Sequence, residues 1–202
     1  MKLGFAAFEF VNHANRKRFY STGRPLAATA GRPIMFTERR EQPQVDNNDL
    51  LGWFIPRCRE WGFDAIEGNL VPYLDSPADL DRIGNLLAKH GITMASDWGD
   101  DFSNPKKTPE EHRKFFTVAK DLGVTAVGIG GMPFSINRFV DDPSPEQQYE
   151  MIRNCLAPMV EIAEDLGLKL GFENHADYRV KDLMEYVVRP INSTALGIKL
   201  DT

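Results

Sequence analysis

Glu164-Asp165-Leu166-Gly167-Leu168-Lys169-Leu170-Gly171-Phe172-Glu173 is the stretch on which the fold turns. A charged, helix-like segment ends in a glycine, and a short apolar run follows at once. Glycine just past a helix takes the left-handed conformation that closes the last turn. A strand buried on both faces reads as a continuous apolar run rather than an alternation. The same figure occurs three times upstream. Arg59-Glu60-Trp61-Gly62 precedes Phe63 to Glu67, Ala88-Lys89-His90-Gly91 precedes Ile92 to Ala95, and Lys120-Asp121-Leu122-Gly123 precedes Val124 to Ile129. From Gly62 to Gly91, Gly123 and Gly167 the steps are 29, 32 and 44 residues, the scale of one strand–helix unit.

The helix starts agree with this period. Ser76-Pro77-Ala78-Asp79, Thr108-Pro109-Glu110-Glu111 and Ser144-Pro145-Glu146-Gln147 each set a capping hydroxyl before a proline, with an acidic or amide residue three positions after the cap. Apolar stripes at helical spacing follow: Leu80, Ile83, Leu87; Phe115, Val118, Ala119, Leu122; and Ile152, Cys155, Leu156, Met159, Ile162, Ala163, Leu166. Pro158 predicts a kink in the third of these helices. A weaker helix over about Val180 to Val188 is expected to stop before Pro190. Strands are expected over Lys2 to Phe10 at the start and Ala195 to Asp201 at the end.

The count is six strands and five intervening helices, which implies a parallel sheet with right-handed crossovers. The fold class is α/β, and units of this kind build a (β/α)8 barrel. A closed eight-unit barrel usually needs ~250 residues, so as a barrel the chain would be incomplete, with about β1 to β6 present. A doubly wound sheet is the alternative, but no G-x-G-x-x-G turn follows the first strand to support a dinucleotide fold. One domain is expected over 1–202, with a long loop insertion at about 11–48 that holds the basic cluster Arg16-Lys17-Arg18. Such a loop is either a solvated insertion or a cover over a site.

Composition narrows the function. The 202 residues carry 24 Lys plus Arg against 29 Asp plus Glu, a net charge of -5, and 42% of them are hydrophobic. That supports one sizeable core and excludes a disordered chain. A sequence pI near 5.4 argues against a nucleic-acid partner. No 18-residue apolar run is present to span a membrane, and the N-terminus lacks a signal-peptide pattern. The two cysteines, Cys58 and Cys155, are read as buried thiols of a reducing compartment, so the expected localisation is cytoplasmic.

Lys169-Leu170-Gly171-Phe172-Glu173-Asn174-His175, with Lys199-Leu200-Asp201-Thr202 after it, resembles the sugar isomerase/epimerase-like (xylose isomerase-like) TIM barrel family. Gly62-Phe63-Asp64-Ala65-Ile66-Glu67-Gly68 looks like that family's second strand. The resemblance implies a metal-dependent isomerase or epimerase acting through an enediolate on a small sugar or other polyhydroxy carbonyl compound. An inosose- or dehydroshikimate-type dehydratase of the same fold is the alternative, as is a catalytically incomplete fragment acting as an interaction module. An apurinic-site endonuclease on this barrel would need clustered basic residues and extra metal-binding histidines, which the chain does not show.

By the same resemblance, Glu173 and Asp201 would bind one divalent ion (Mn, Mg, Co or Zn), with Glu173 also the acid/base. The family's third and fourth ligands come from seventh and eighth strands that this sequence does not reach. Glu67, His13, His175 and Trp98 are the expected substrate contacts, Trp98 forming an aromatic wall beside Asp97 and the Asp100-Asp101 pair. His90 and His112 are read as solvated helix residues. Lys199 shares strand parity with Asp201 and is expected to point inward, where it needs a carboxylate partner or meets substrate. Six strands would leave β1 and β6 as open edges, so the isolated chain is expected to be marginal, aggregation-prone, or paired with a second copy as a homo-oligomer.

Overall fold

Repeated strand–helix units have one economical packing, a parallel sheet whose outer face is covered by the connecting helices. A computed structural model shows this packing and describes residues 4–6, 49–124, 126–130, 136–175 and 178–200. The strands are β1 (Gly4–Ala6), β2 (Ala65–Glu67), β3 (Thr93–Gly99), β4 (Val127–Gly130), β5 (Leu170–Glu173) and β6 (Leu196–Lys199). They form one sheet in chain order, β1-β2-β3-β4-β5-β6, with every neighbouring pair parallel. The helices between them are α1 (Leu50–Glu60), α2 (Pro77–His90), α3 (Pro109–Asp121) and α4 (Pro145–Leu166), followed by α5 (Val180–Leu183) and α6 (Arg189–Ile191). The fold is an incomplete (β/α)8 barrel. The proposed 11–48 insertion lies outside the described residues.

The signals that start and stop the helices are realised. Thr108 and Ser144 form reciprocal capping boxes with Glu111 and Gln147, and Ser76 accepts from the Asp79 amide. Gly62, Gly91, Gly123 and Gly167 all have φ between 62° and 83°, a region closed to most side chains. α4 runs on through Pro158 as one 22-residue helix.

The last helical segment departs from expectation. It passes Pro190 instead of stopping before it. A π-helical turn (Met184–Val188) sits between α5 and α6, and the Arg189 amide bonds back to the Met184 carbonyl. Pro190 has no N–H to give the carbonyl four residues earlier, that of Tyr186. That carbonyl instead accepts from Arg153 Nη1 on α4, at 2.6 Å. A side chain from the neighbouring helix thus satisfies the group that proline orphans.

Strand alternation then sorts the residues. One face sends Ile66, Met94, Val127, Ile129, Leu170 and Phe172 into the helices, where they meet Phe54, Phe115, Phe116, Ile152, Leu156 and Met159, all nearly fully buried. Each such side chain contributes ~1.5–3 kcal/mol by leaving water. Cys58 and Cys155 are free thiols in this layer. Burial pushes them up to about 11 and about 12, so they remain protonated. No helix among the described residues is long and apolar enough to cross a membrane. The other sheet face carries Glu67, Asp97, Glu173 and Lys199, and it holds the site.

Candidate functional site at the C-terminal ends of the strands

Each polar side chain on the inner face is placed by parity. Glu67 ends β2, Glu173 ends β5 and Lys199 ends β6, while Asp97 lies two residues before the end of β3. The register pairs Asp97 with Gly128, Gly128 with Gly171, Gly171 with Gly197, and Glu173 with Lys199. Three strands, β4, β5 and β6, therefore contribute no side chain at the level of Asp97. A Cβ at Gly128 would lie 2.0 Å from Asp97 Oδ1 and 3.2 Å from Lys199 Nζ, and a Cβ at Gly171 would lie 3.2 Å from Lys199 Cβ. These glycines clear the floor across which Lys199 extends.

Lys199 Nζ donates to Glu67 Oε1 at 2.6 Å and to Asp97 Oδ1 at 3.0 Å, and it lies 3.2 Å from Glu173 Oε2. One ammonium thus faces three carboxylates from three other strands. Burial alone would lower the lysine, but its hydrogen bonds and charge contacts with Glu67 and Asp97 win and hold it above its ordinary value. Burial raises Glu67, but its hydrogen bonds to Asp97 and Lys199 and the lysine charge pull it below the usual carboxylate value. Asp97 goes the other way. Partial burial, and then the Glu67 carboxyl beside it, push Asp97 up to about 7 against the pull of Lys199. Two neighbouring carboxyls driven apart in this way share out protons as acid and base sites do.

The expected contacts divide. Glu67 and Glu173 meet at Lys199, as the inward parity requires. Trp98, expected as a substrate contact, does not join them and is buried in the core. Its neighbour Asp97 points inward, so Trp98 points outward, where it stacks on Phe115 at 4.3 Å between ring centroids and donates its indole N–H to His112 Nδ1 at 2.8 Å. The expected aromatic wall is part of the sheet–helix core. His112, expected to be solvated, is buried, and burial holds it below its ordinary value, so it serves as a neutral acceptor. Its place one turn before Phe115 and Phe116 on the buried face of α3 was the sequence signal for this.

Asp100 is also a scaffold group. Burial would raise it, but the amides of Lys107, Lys106 and Asp101 hold it below the usual carboxylate range. It ties the loop after β3 and takes no place at the ammonium. His175 follows β5 with φ of 39° and an exposed side chain, while the Asn174 side-chain amide donates to its carbonyl at 2.9 Å. His13 and Asp201 lie outside the described residues. Among the described residues no group of three or more His, Cys, Asp or Glu side chains is arranged to hold a metal ion. The inner carboxylates converge on an ammonium instead.

A parallel barrel sheet with charged groups at its C-terminal strand ends is the arrangement of a TIM barrel. Residues 55–202 match the xylose isomerase-like TIM barrel family, and the chain belongs to it. Among solved structures it is similar to a D-psicose 3-epimerase from Clostridium cellulolyticum H10 bound to D-tagatose, with a TM-score of 0.62 and 16% identity over 74% of this chain and 57% of that one. A D-tagatose 3-epimerase-like protein gives 0.58 and 25% over 72% and 59%. A 3-keto-D-glucoside 4-epimerase from E. coli gives 0.61 and 14% over 79% and 65%. The chain therefore spans less than two thirds of the length of each. No curated protein matches the sequence.

Proposed function

We propose that the protein is a sugar isomerase or epimerase acting on a small ketose or related polyhydroxy carbonyl compound. The observation that carries this reading is the convergence of Glu67, Asp97 and Glu173 on Lys199 at the C-terminal ends of β2, β3, β5 and β6. Its likeness in fold to sugar epimerases supports it.

Proton abstraction beside a carbonyl needs a carboxylate held within reach of an acidic C–H and an environment that accepts the charge that develops on oxygen. Glu173 is the base in this reading. It removes the proton next to the carbonyl, giving an enediolate. It then returns the proton at the adjacent carbon for isomerisation, or a second acid delivers it to the opposite face for epimerisation. Lys199 fixes the orientation of Glu173 through the 3.2 Å ion pair, and the glycines of β4 and β5 leave room for the lysine side chain to reach it.

A divalent ion of the kind the family resemblance implies would draw on Glu173 and Asp201 and would polarise the carbonyl when bound. The described donors do not form a metal shell among themselves, and one oxygen of Glu173 faces Lys199. The test is product analysis by NMR after incubating the full chain, supplemented with Mn2+ or Mg2+, with ketohexoses, ketopentoses and an inosose. A ketose epimer or aldose product fits the reading. An unsaturated product means dehydration, and no turnover of any member rejects the assignment.

A further inference from the structure

Glu67 and Asp97 come from adjacent strands but not from paired positions. The register sets Glu67 opposite Ala95, one inward-facing step short of Asp97, and the longer glutamate side chain makes up the difference. The two carboxyls reach hydrogen-bond contact with each other. Both also accept from the same Lys199 ammonium, at 2.6 and 3.0 Å. Ionised carboxylates only accept hydrogen bonds, so two of them in mutual contact need a proton between them. The space for this meeting is built into β4, where any residue larger than Gly128 would collide with Asp97 Oδ1.

We propose that Glu67 and Asp97 form a proton-sharing carboxylate pair, clamped by Lys199, and that this pair is a proton-exchange site separate from Glu173. The charged groups facing Asp97 are Glu67 from β2, Lys199 from β6 and, across Lys199, Glu173 from β5, while β4 brings glycine at this level. With the shared proton, three carboxylates and one ammonium carry a net charge of about -1 instead of -2. The opposed shifts of the two carboxyls, Asp97 up to about 7 and Glu67 down, follow from the same arrangement. With side chains 34% and 49% exposed, Glu67 and Asp97 are reached by solvent, so the proton is available to a ligand on this face.

The role of the pair in turnover rests on the isomerase reading above. As Glu173 takes the C–H proton, the electron pair moves into the carbon–carbon bond and the carbonyl oxygen gains charge. That oxygen takes the proton from Asp97, whose carboxylate stays paired with Lys199. In isomerisation Glu173 then gives its proton to the former carbonyl carbon while Asp97 takes the hydroxyl proton of the carbon first deprotonated, which restores both groups as product forms.

Carboxyl 13C NMR of the full chain, labelled at Asp and Glu and titrated from pH 3 to 9, tests the pair without substrate. The expected result is two-step, mutually coupled curves for Glu67 and Asp97, with the upper step near neutral pH. In Glu67→Gln, Asp97 is expected to collapse to one step, lower by at least about one pH unit. Gly128→Ala, which displaces Asp97, is expected to uncouple the two, and Glu173→Gln to leave them coupled. Independent single steps at ordinary carboxylate values in the wild type, or an unchanged Asp97 curve in Glu67→Gln, overturn the proposal. An uncoupled pair in a chain that still exchanges substrate C–H refutes the pair alone. A coupled pair without such exchange refutes the isomerase reading alone.

Discussion

Lys199 and Glu67 stand 132 positions apart in the sequence and 2.6 Å apart in the structure, joined by a hydrogen bond that crosses from the sixth strand to the second. The intervening strands allow it because β4 and β5 present Gly128 and Gly171 where side chains would block the path. The contact makes the inner face one electrostatic unit rather than a row of separate carboxylates.

Lys199→Met removes the counter-charge while keeping an unbranched apolar stem. The partners are part-exposed, so the loss at pH 8 is expected to lie between that of a surface pair and a buried one, ~1–2 kcal/mol in denaturant unfolding. Asp97, with its value pushed up to about 7, takes a proton as pH falls through neutral, and this relieves the repulsion left by the missing ammonium. The deficit relative to wild type is therefore expected to shrink from pH 8 to pH 5. A deficit that is constant or grows on acidification would contradict the arrangement.

Gly128→Ala tests the cleared floor. The added Cβ must displace Asp97 and press on Lys199, and overpacking of this kind costs ~1–3 kcal/mol. The expected fall in Tm is ~2–12 °C for a domain of this size. Gly84→Ala on α2, whose added Cβ would meet Leu122 at 3.3 Å on the outer layer, serves as a control and is expected to leave the carboxylate cluster intact.

His112 gives a pH signature of its own. Its folded value is depressed by burial, so the unfolded chain takes up the proton first as pH falls below ~6.5. More protons on the unfolded state mean that this contribution to stability is complete above ~6.5 and is lost as pH drops through the folded value. His112→Asn keeps an acceptor near Nδ1 for Trp98 and cannot titrate. Denaturation at pH 7.5 and 5 is expected to show a smaller acid loss in the variant than in the wild type.

Thr108→Ala removes one half of the α3 capping box. The Glu111 amide loses its acceptor, and the expected cost is ~0.5–2 kcal/mol with no change in the inner-face contacts. Urea unfolding measures it directly. A neutral result would mean that the α3 start is held by its packing alone.

Much of the fold was legible because it is written in local chemistry. The four helix-ending glycines and the Ser/Thr-Pro caps mark the unit boundaries without reference to anything distant. Inward parity put Lys199 on the same face as the expected site. What was not legible needs strand register or a partner helix. That Lys199 meets Glu67 and Asp97 rather than Glu173 alone depends on which residues pair across four strands. The passage through Pro190 depends on Arg153, from another helix. Two misreadings were avoidable from spacing. Trp98 sits one residue from Asp97 and so faces the other way, and His112 falls on the same stripe as Phe115, Phe116 and Ala119.

The most direct test of the proposed chemistry is hydrogen exchange at carbon. The full chain, with a divalent ion, is incubated with a ketohexose in D2O and followed by 1H NMR. The account predicts loss of the C–H signal next to the carbonyl as deuterium enters, and its abolition in Glu173→Gln. No exchange in the wild type, or exchange that persists undiminished in Glu173→Gln, would contradict it.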